Sequence, residues 1–226
     1  MMGPMSFLGQ YREPSDLPRR LPMFPLSGAL LLPRAELPLN IFEPRYLEMF
    51  DDAMSGDRLI GMIQPLVEDA AEDRPALMAV GCAGRITAYA ETPDERLLIT
   101  LTGVSRFTLG EELDADTMYR QAVVDFHGFA VDLVSDSGAG EVNRPALLKA
   151  FRDYLAANDM NADWGQVDSA PTEVLVNTLS LMAPYPAKEK QALLEAPDLK
   201  TRADVLVALT EMALARTARG PRTRLQ

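Results

Sequence analysis

The sequence predicts an α+β protein, in which a first half of short strands with one inserted helix precedes a second half of helices. Between Leu21 and Asp125, apolar runs of strand length alternate with turn residues, and residues 97–102 show the two-residue period of a strand covered mainly on one face. After Asp125, apolar residues recur every three or four positions, which is typical of helices that bury one face. The change of pattern therefore divides the chain into two structural parts.

Each predicted strand is an apolar run that ends at turn residues. Pro93-Asp94-Glu95 indicates a hairpin, Gly84 a bend, and Gly103 a turn that separates two strands. One helix interrupts the strands, because Pro44 suits a first helical position and Gly56 suits a left-handed stop. Short strands around one helix indicate a small antiparallel barrel or sandwich. The predicted strands are residues 21–26, 29–32, 37–41, 59–64, 78–91, 96–102, 106–109 and 119–125.

The second half contains four predicted helices. They begin near Pro145 and Pro171, at Lys188 and, for the longest, before Val205. Helices this short are marginal alone in water, so we expect them to pack on one another as a bundle. The predicted divisions are a flexible arm at residues 1–18, a β-barrel subdomain at 19–125, a connector at 126–144, a helical bundle at 145–218 and a frayed tail at 219–226.

Composition and charge narrow the classes of function. The chain of 226 residues carries 22 basic and 33 acidic side chains, which gives a net charge of −11. A surface of that sign repels phosphate, so we expect no nucleic-acid partner and no membrane partner. No apolar run reaches the roughly 18–20 residues of a membrane helix, no signal peptide is recognisable, and the single cysteine, Cys82, argues against disulfides. These features predict a soluble, cytoplasmic protein.

The residues that could carry chemistry lack the partners that catalysis requires. None of the lysines follows the glycines of a phosphate-binding loop, and the stretch from Gly81 to Gly84 lacks dinucleotide-binding spacing. We interpret these glycines as positions where backbones approach closely, and Cys82 as a small packed side chain. His127 is the only histidine and is interpreted as a polar loop residue, so zinc is excluded. We therefore expect no catalytic residues, no metal and no cofactor.

Two acidic segments match ion-binding loops only in part. Residues 159–165 fit the first three ligand positions of a calcium loop, but Trp164 replaces the required glycine and Ala170 the required glutamate. We interpret this segment as an acidic loop between helices that Trp164 anchors. A second acidic cluster is interpreted as a solvated hairpin tip without ligand function. It consists of Glu111, Glu112, Asp114 and Asp116.

The proline-punctuated segment from Leu21 to Tyr46 is the most informative part of the sequence. Pro44 sets the entry to the predicted helix, and Glu43 places a carboxylate beside the positive end of that helix. Arg45 and Tyr46 fall in the first turn, where they either brace neighbouring strands or face a ligand. Because a buried carboxylate and guanidinium are most often mutual partners, we interpret Glu43 and Arg45 mainly as structural. Both residues remain candidate binding residues, together with Tyr46.

This segment resembles the amino-terminal domain of Lon-type ATP-dependent proteases. That family opens with an L-P-x-F-P-L strand and a proline-terminated apolar strand, and continues with L-P-L-x-I-F-E-x-R-Y at the entry to a helix. A strand followed by G-x-x-R-F is a further shared step, and a weaker similarity extends through the helices to about Arg216. The matching segments are residues 21–26, 30–33, 37–46, 81–86, 96–107, 190–195 and 198–206.

The resemblance implies a PUA-like antiparallel β barrel with one inserted helix, followed by a helical bundle. In full-length Lon this domain recognises polypeptide and feeds it to ATPase and protease parts, whose motifs are absent from this sequence. The chain is thus similar to a stand-alone Lon substrate-binding domain, a non-catalytic adaptor whose expected partners are exposed polypeptide segments and a separate protease. The alternative is a PUA-like RNA-binding protein, which an unbroken basic groove would favour.

A second candidate binding region lies in the connector. Lon-like recognition of exposed polypeptide requires an apolar patch that stays accessible, and the junction between barrel and bundle is expected to form a cleft. The apolar side chains of the connector either line that cleft or form a final edge strand that caps the barrel. The candidate residues are Phe126, Phe129, Val131 and Leu133.

Overall fold

The computed structural model describes residues 8–67, 74–93 and 96–219, and it contains six strands and six α-helices within these ranges. Residues 1–7 of the predicted arm, the hairpin tip at 94–95 and residues 220–226 of the predicted tail lie outside the described residues. The strands are β1 (Arg20–Pro25), β2 (Glu36–Ile41), β3 (Leu59–Ile63), β4 (Val80–Glu91), β5 (Leu97–Leu113) and β6 (Arg120–Asp125). The helices are α1 (Pro44–Ser55), α2 (Arg144–Ala157), α3 (Trp164–Ser169), α4 (Thr172–Met182), α5 (Ala187–Glu195) and α6 (Leu199–Arg219).

The strands form one mixed sheet in the order β2-β5-β4-β3-β1-β6. Most of the described pairings are antiparallel as predicted, but β1 and β3 pair in parallel, with Met23 beside Gly61. The prediction of an all-antiparallel sheet is wrong at this position. Since β2 and α1 lie between these two strands in the sequence, the chain crosses over before it returns, as a parallel pair requires.

Strand β5 joins the two ends of this order. One side of β5 pairs with β4, while the other side pairs with β2 at residues 97–102 and with β6 at residues 108–113. The pairings β5-β4-β3-β1-β6 therefore form a closed circuit, and β2 lies outside it at an edge. Closure of this kind leaves fewer backbone groups without a strand partner.

Gly103 lies inside β5 rather than in a turn. The two strands predicted on either side of it are one continuous strand, so the predicted turn is wrong. A side chain at this position would bring its Cβ to 2.0 Å from the carbonyl oxygen of Leu32, and the backbone of Gly103 bonds both Arg34 and Ala35. Glycine is needed here because another chain segment crosses the strand in direct contact with its backbone.

The glycines of β4 also permit close approach, as predicted. A Cβ at Gly81 would lie 2.4 Å from the Phe107 ring, and one at Gly84 would lie 2.6 Å from Leu31. The register between β4 and β5 shifts between Ala83 and Gly84, which accounts for the predicted bend. The sequence interpretation of this stretch is confirmed.

Residues 29–32 do not form the predicted strand, although residues 30–32 are buried. Leu30, Leu31 and Leu32 are consecutive in the core, each at most 3% exposed, so this segment buries every side chain instead of alternate ones. A turn with Gly28 at φ +70° leads into it, and Arg34 with φ +63° leads out. The hydrophobicity of the three leucines explains why they are buried. The turns on both sides of them prevent regular hydrogen bonding with a neighbouring strand.

Helix α1 matches its predicted bounds of residues 44–55, with Pro44 in the first turn. Its end differs from the prediction, because Gly56 has φ −121° and is not left-handed. The left-handed residue is Arg58, with φ +60°, whose carbonyl accepts a bond from Ile86 in β4. The three residues between α1 and β3, residues 56–58, turn the chain so that β3 can begin beside β4.

The helical part follows the prediction except at Trp164. The segment interpreted as an acidic loop contains the short helix α3, because the Asp163 side chain accepts hydrogen bonds from Gly165 and Gln166 and so caps a helix. Trp164 is packed as expected, edge-on against Phe151 in α2. Helices α2, α4 and α5 each contact α6, which forms the centre of the bundle.

The end of the predicted arm and the connector both pack on the sheet. Tyr11 and Leu17 are buried beside β1 residues, so the arm is folded against the protein over these residues, which differs from the prediction. The connector forms a 3-10 helix at His127–Leu133 instead of an edge strand, so that alternative is wrong. Phe126 is 3% exposed and meets the Phe107 ring edge-on, with 6.2 Å between the ring centroids.

Two cores stabilise the protein. The smaller core lies among the strands of the closed circuit and is centred on Met23 and Phe107, both fully buried. The larger core includes Leu101 of the sheet, Met49 of α1 and Leu193 of α5, so it joins the sheet to the helices. The bundle is thus packed on the sheet through apolar contacts and does not form a separate core.

Arg106 adds a polar link between the sheet and the helices. Its side chain is 1% exposed and forms a bidentate ion pair with Asp132 in the connector, with both nitrogen–oxygen distances at 2.8 Å. The Arg106 backbone N–H also donates to Asp132, at 2.9 Å. Its Nη1 donates to the carbonyls of Leu194 at the end of α5 and Ala196 just after it, and its guanidinium covers the Phe129 ring. One side chain thus contacts strand, connector and helices.

We predict that Arg106→Met lowers the free energy of unfolding by about 3–5 kcal/mol, because it leaves the Asp132 carboxylate buried without its partner. The measurement is urea denaturation followed by circular dichroism. Arg152→Met is the matched control, since Arg152 is 55% exposed and stacks on Trp164 at the surface. If the two variants lose similar stability, Arg106 does not hold the halves together.

Candidate functional site

An open groove of about 470 Å³ lies beside the first turn of α1. Its walls come from the end of β1, the first turn of α1, the segments flanking residues 68–73 and the turn that leads into β6. Three arginines and several apolar side chains line it, and no acidic residue does so among the described residues. The lining residues are Met23, Pro25, Ser27, Arg45, Tyr46, Pro65, Val67, Arg74, Pro75, Thr117, Met118, Tyr119 and Arg120.

Tyr46 forms part of the floor of this groove. Pro44 begins α1, and Tyr46 lies in the first turn of the helix, beside β1. The Tyr46 ring stacks on Phe24 of β1 with 4.1 Å between the ring centroids. Tyr46 is only 7% exposed, and burial raises the pKa of its hydroxyl. The residue therefore contributes a rigid aromatic surface, and it was one of the predicted site residues.

Arg45 and Glu43 form the ion pair that the sequence predicted, but the pair is not buried. Arg45 Nε lies 2.9 Å and its Nη2 2.7 Å from Glu43 Oε2. Both side chains are 42% exposed, because the turn before α1 lies at the rim of the groove. Arg45 also lies 4.6 Å above the Tyr46 ring, so its guanidinium is held over the groove by two neighbours.

Arg120 and Arg74 bring two further cations to the groove. Arg120 forms a bidentate ion pair with Glu112 and donates to the Pro75 carbonyl at 2.7 Å, so it fixes the segment before β4. Arg74 is 64% exposed and lies 3.8 Å from the same carboxylate. Glu112 belongs to the acidic cluster predicted as a solvated hairpin tip, and it instead orients these arginines.

The rim of the groove is apolar. Val67 is 60% exposed and Met118 is 61% exposed, although side chains of this type are normally turned inward. The turn that carries Met118 is attached to α1, because Tyr119 donates a hydrogen bond to Asp52 at 2.7 Å and the Met118 N–H donates to Glu48. Burial, followed by the bond to Asp52, raises the pKa of Tyr119. Two accessible apolar side chains are thus presented above an aromatic floor.

The connector residues predicted as a second site do not line this groove. Phe126 is buried in the smaller core, and Phe129 is covered by Arg106. Val131 lines a cavity between the connector and the bundle, and Leu133 lines another cavity between the connector, β5 and the segment around Tyr11. The structure therefore separates the two predicted sets of site residues and brings only Arg45 and Tyr46 to the groove.

Sequence reasoning missed most of the groove, namely Val67, Arg74, Met118 and Arg120. These residues are distant in sequence from Arg45; three of them lie in bends, and Arg120 begins β6. The only local signal was an apolar methionine within a turn that also contains acidic residues. No periodic pattern connects these positions, because the groove is formed by the way the strands pair.

The remaining chemical candidates are structural. Cys82 is buried, which raises the pKa of its thiol, so this residue is unsuited to act as a nucleophile. His127 is exposed and lies 2.6 Å from Asp125, in agreement with a polar surface role. Among the described residues, no group of three or more histidine, cysteine, aspartate or glutamate side chains could hold a metal ion. Within the same ranges, no helix is both long and apolar enough to cross a membrane.

The fold is that of an α+β domain, in which a mixed sheet and a helical bundle share the larger core. The family model described as the ATP-dependent protease La (LON) substrate-binding domain matches residues 20–211. The chain belongs to this family. The sequence resemblance, which was drawn from residues 21–46 and later segments, is confirmed.

Curated relatives and solved structures agree with this assignment. The chain is 24% identical over 207 residues to the Lon protease of Dictyoglomus thermophilum and 26% identical over 206 residues to Lon protease 2 of Myxococcus xanthus. These matches cover 85% and 86% of the chain but 24% of each relative, so the chain spans about a quarter of their length.

Two solved structures share the fold. The Lon N-terminal domain protein from Xanthomonas campestris has a TM-score of 0.57 at 24% identity, with 84% of this chain and 97% of that one covered. The N-terminal domain of the Mycobacterium avium complex Lon protease has a TM-score of 0.61 at 16% identity, with 85% and 98% covered.

We predict that Arg45→Ala lowers the free energy of unfolding by less than about 1 kcal/mol, because both members of the ion pair are partly solvated. The buried pair expected from the sequence would have implied a larger loss. Urea denaturation measures the difference, with Lys149→Ala as a control that removes another exposed ion pair. A loss equal to that of a buried pair would mean that Glu43 is buried in solution.

Proposed function

We propose that this chain is a non-catalytic module that binds exposed polypeptide segments in the groove beside α1. The family is described as a substrate-binding domain, and the relatives are named Lon proteases. The observation that carries the proposal is the lining of the groove, which combines exposed apolar side chains with three arginines and no described acidic residue. Unfolded polypeptide offers both kinds of partner, apolar side chains and backbone carbonyls.

The apolar part of the groove suits segments that are variable in sequence. Met118 is unbranched and polarizable, so it adapts to side chains of different shape, and Val67 adds a second exposed apolar contact. The floor at Tyr46 and Met23 is held by packing, which keeps the loss of entropy on binding small. Their position in one groove above an aromatic floor, rather than their exposure alone, supports a binding role.

The arginines of the groove contribute to the choice of polypeptide segment. The chain carries a net charge of −11, yet the charged residues described in the groove lining are Arg45, Arg74 and Arg120. Glu43 and Glu112 orient these arginines from outside the lining and partly neutralise them. We infer that the arginines contribute more to the specificity and the association rate of polypeptide binding than to its affinity.

The proposal also includes the type of barrel, the role as an adaptor and the cellular location of the protein. The closed circuit of five strands supports a PUA-like barrel, and the description of the family as a substrate-binding domain supports an adaptor that works with a protease. The acidic composition supports a cytoplasmic protein without membrane partners. RNA binding is the less favoured alternative, because the arginines form one short groove in an acidic protein.

Polypeptide binding is tested with fluorescently labelled, reduced α-lactalbumin by anisotropy. We predict that Met118→Glu weakens binding at least about fivefold, because a carboxylate is introduced at an apolar contact. Met182→Glu is the matched control, because it makes the same substitution at a methionine on α4 that is 75% exposed and lies outside the groove. Equal affinities of the two variants would place the binding site elsewhere, and stronger binding of an RNA oligonucleotide would favour the alternative function.

We also predict that the purified chain neither hydrolyses ATP nor cleaves casein. The sequence lacks a phosphate-binding loop and the Lon protease nucleophile motif. Phosphate release and casein fluorescence measure the two activities, with a full-length Lon protease as the positive control. Turnover that elutes together with the protein through successive columns would contradict the proposal.

A further inference from the structure

A separate cavity of about 200 Å³ lies where the connector, α4 and the start of α6 meet. Arg202 of α6 lines it and is only 3% exposed. Its Nε donates to the Leu193 carbonyl at 3.0 Å, and its Nη1 donates to Asn177 Oδ1 at 3.1 Å. Its Nη2 is buried and has no hydrogen-bond partner among the described residues. Leaving a buried charged donor unbonded is costly, so this nitrogen marks a position for an acceptor.

The carboxylates nearest to Arg202 are already committed to other arginines. Asp132 uses both oxygens for Arg106, and Glu173 uses both oxygens for Arg34. The two pairs are neutral, which leaves the charge of Arg202 without a direct counterion. Burial, followed by the neighbouring charge of Arg106, lowers the pKa of Arg202 to about 10. Buried charges are normally paired, but Arg202 makes no direct ion pair, although Asp198 and Glu141 line the same cavity.

The rest of the cavity also suits an anion. Leu199 and Lys200 line it at the start of α6, a helix of 21 residues whose dipole attracts negative charge to its N-terminus. Lys200 is 49% exposed and lies at the mouth of the cavity, where it pairs with Asp204. Val134 is 57% exposed, so the cavity opens to solvent on the connector side.

Two acidic residues limit the charge of the occupant. Asp198 lines the cavity and uses Oδ1 to cap the helix through the Thr201 N–H, and Glu141 lines the cavity from the connector. A second negative charge on the occupant would be repelled by these two side chains. The volume is also below the roughly 300–1,000 Å³ of sites for drug-sized ligands.

We propose that this cavity binds a small monovalent oxyanion of the carboxylate class, which accepts a hydrogen bond from Arg202 Nη2. The anion completes the bonding of the guanidinium and joins the connector to the start of α6. Anion binding in this cavity is independent of polypeptide binding in the groove beside α1, because the cavity and the groove share no lining residue. The site would respond to the concentration of small carboxylates in solution.

The test uses sodium acetate as the probe, with ionic strength kept constant by sodium chloride. Hydrogen–deuterium exchange is measured over residues 132–141 and 193–204. We expect acetate to slow exchange in both segments in the wild type. Sodium sulfate, which carries two charges, is expected to protect them less. No local protection by acetate, or stronger protection by sulfate, would overturn the assignment.

Lys200→Glu and Lys149→Glu form a matched pair of variants. Each lysine makes an exposed pair with an aspartate four residues later at 2.6 Å, but only Lys200 lines the cavity. We expect Lys200→Glu to raise the acetate concentration for half-maximal protection at least about threefold, and Lys149→Glu to leave it unchanged. Equal responses would refute the site. Arg202→Met should abolish the protection, and the lysine pair decides the question even if that variant does not fold.

Discussion

Arg106 is the buried cation around which the two halves of the protein are joined. Its strand supplies neighbours for β2, β4 and β6, and its side chain bonds Asp132 in the connector and two carbonyls at the end of α5 and just after it. The apolar core between sheet and helices gives stability but little direction, whereas these bonds require one relative placement of the three segments. The position of the bundle on the sheet therefore depends on an arginine in a strand.

The ion pairs of Arg106 with Asp132 and of Arg34 with Glu173 explain why Arg202 has an unbonded nitrogen. Each of the two nearby carboxylates is used in full by Arg106 or Arg34, so the third arginine has carbonyl and amide partners but no counterion. Natural proteins tolerate an unsatisfied buried group mainly where a ligand or water completes it. The junction is therefore a described region in which an unbonded donor, Arg202 Nη2, points to a missing partner.

The groove beside α1 combines rigid and adaptable parts. Tyr46 is fixed by its stacking on Phe24, while Met118 and Val67 remain accessible at the rim. Membership of the Lon substrate-binding family gives the groove a context, and its arginines distinguish it from the acidic remainder of the protein. Its apolar and cationic parts would act together on an exposed chain segment, with recognition separated from any catalytic step.

The sequence by itself determined the local elements and the family. Pro44 and the apolar face of residues 44–55 specified α1, and the residues at 21–46 were sufficient for the family because they lie together in the chain. Only the tertiary structure decided that β1 pairs with β3 in parallel, that Gly103 lies under Leu32, and that the Glu43–Arg45 pair stays exposed. Most of the groove could not be predicted from the sequence, because Val67, Arg74 and Met118 are brought near Tyr46 only by the pairing of the strands. Local propensity fixes what each segment becomes, but contacts between distant segments fix what each segment faces.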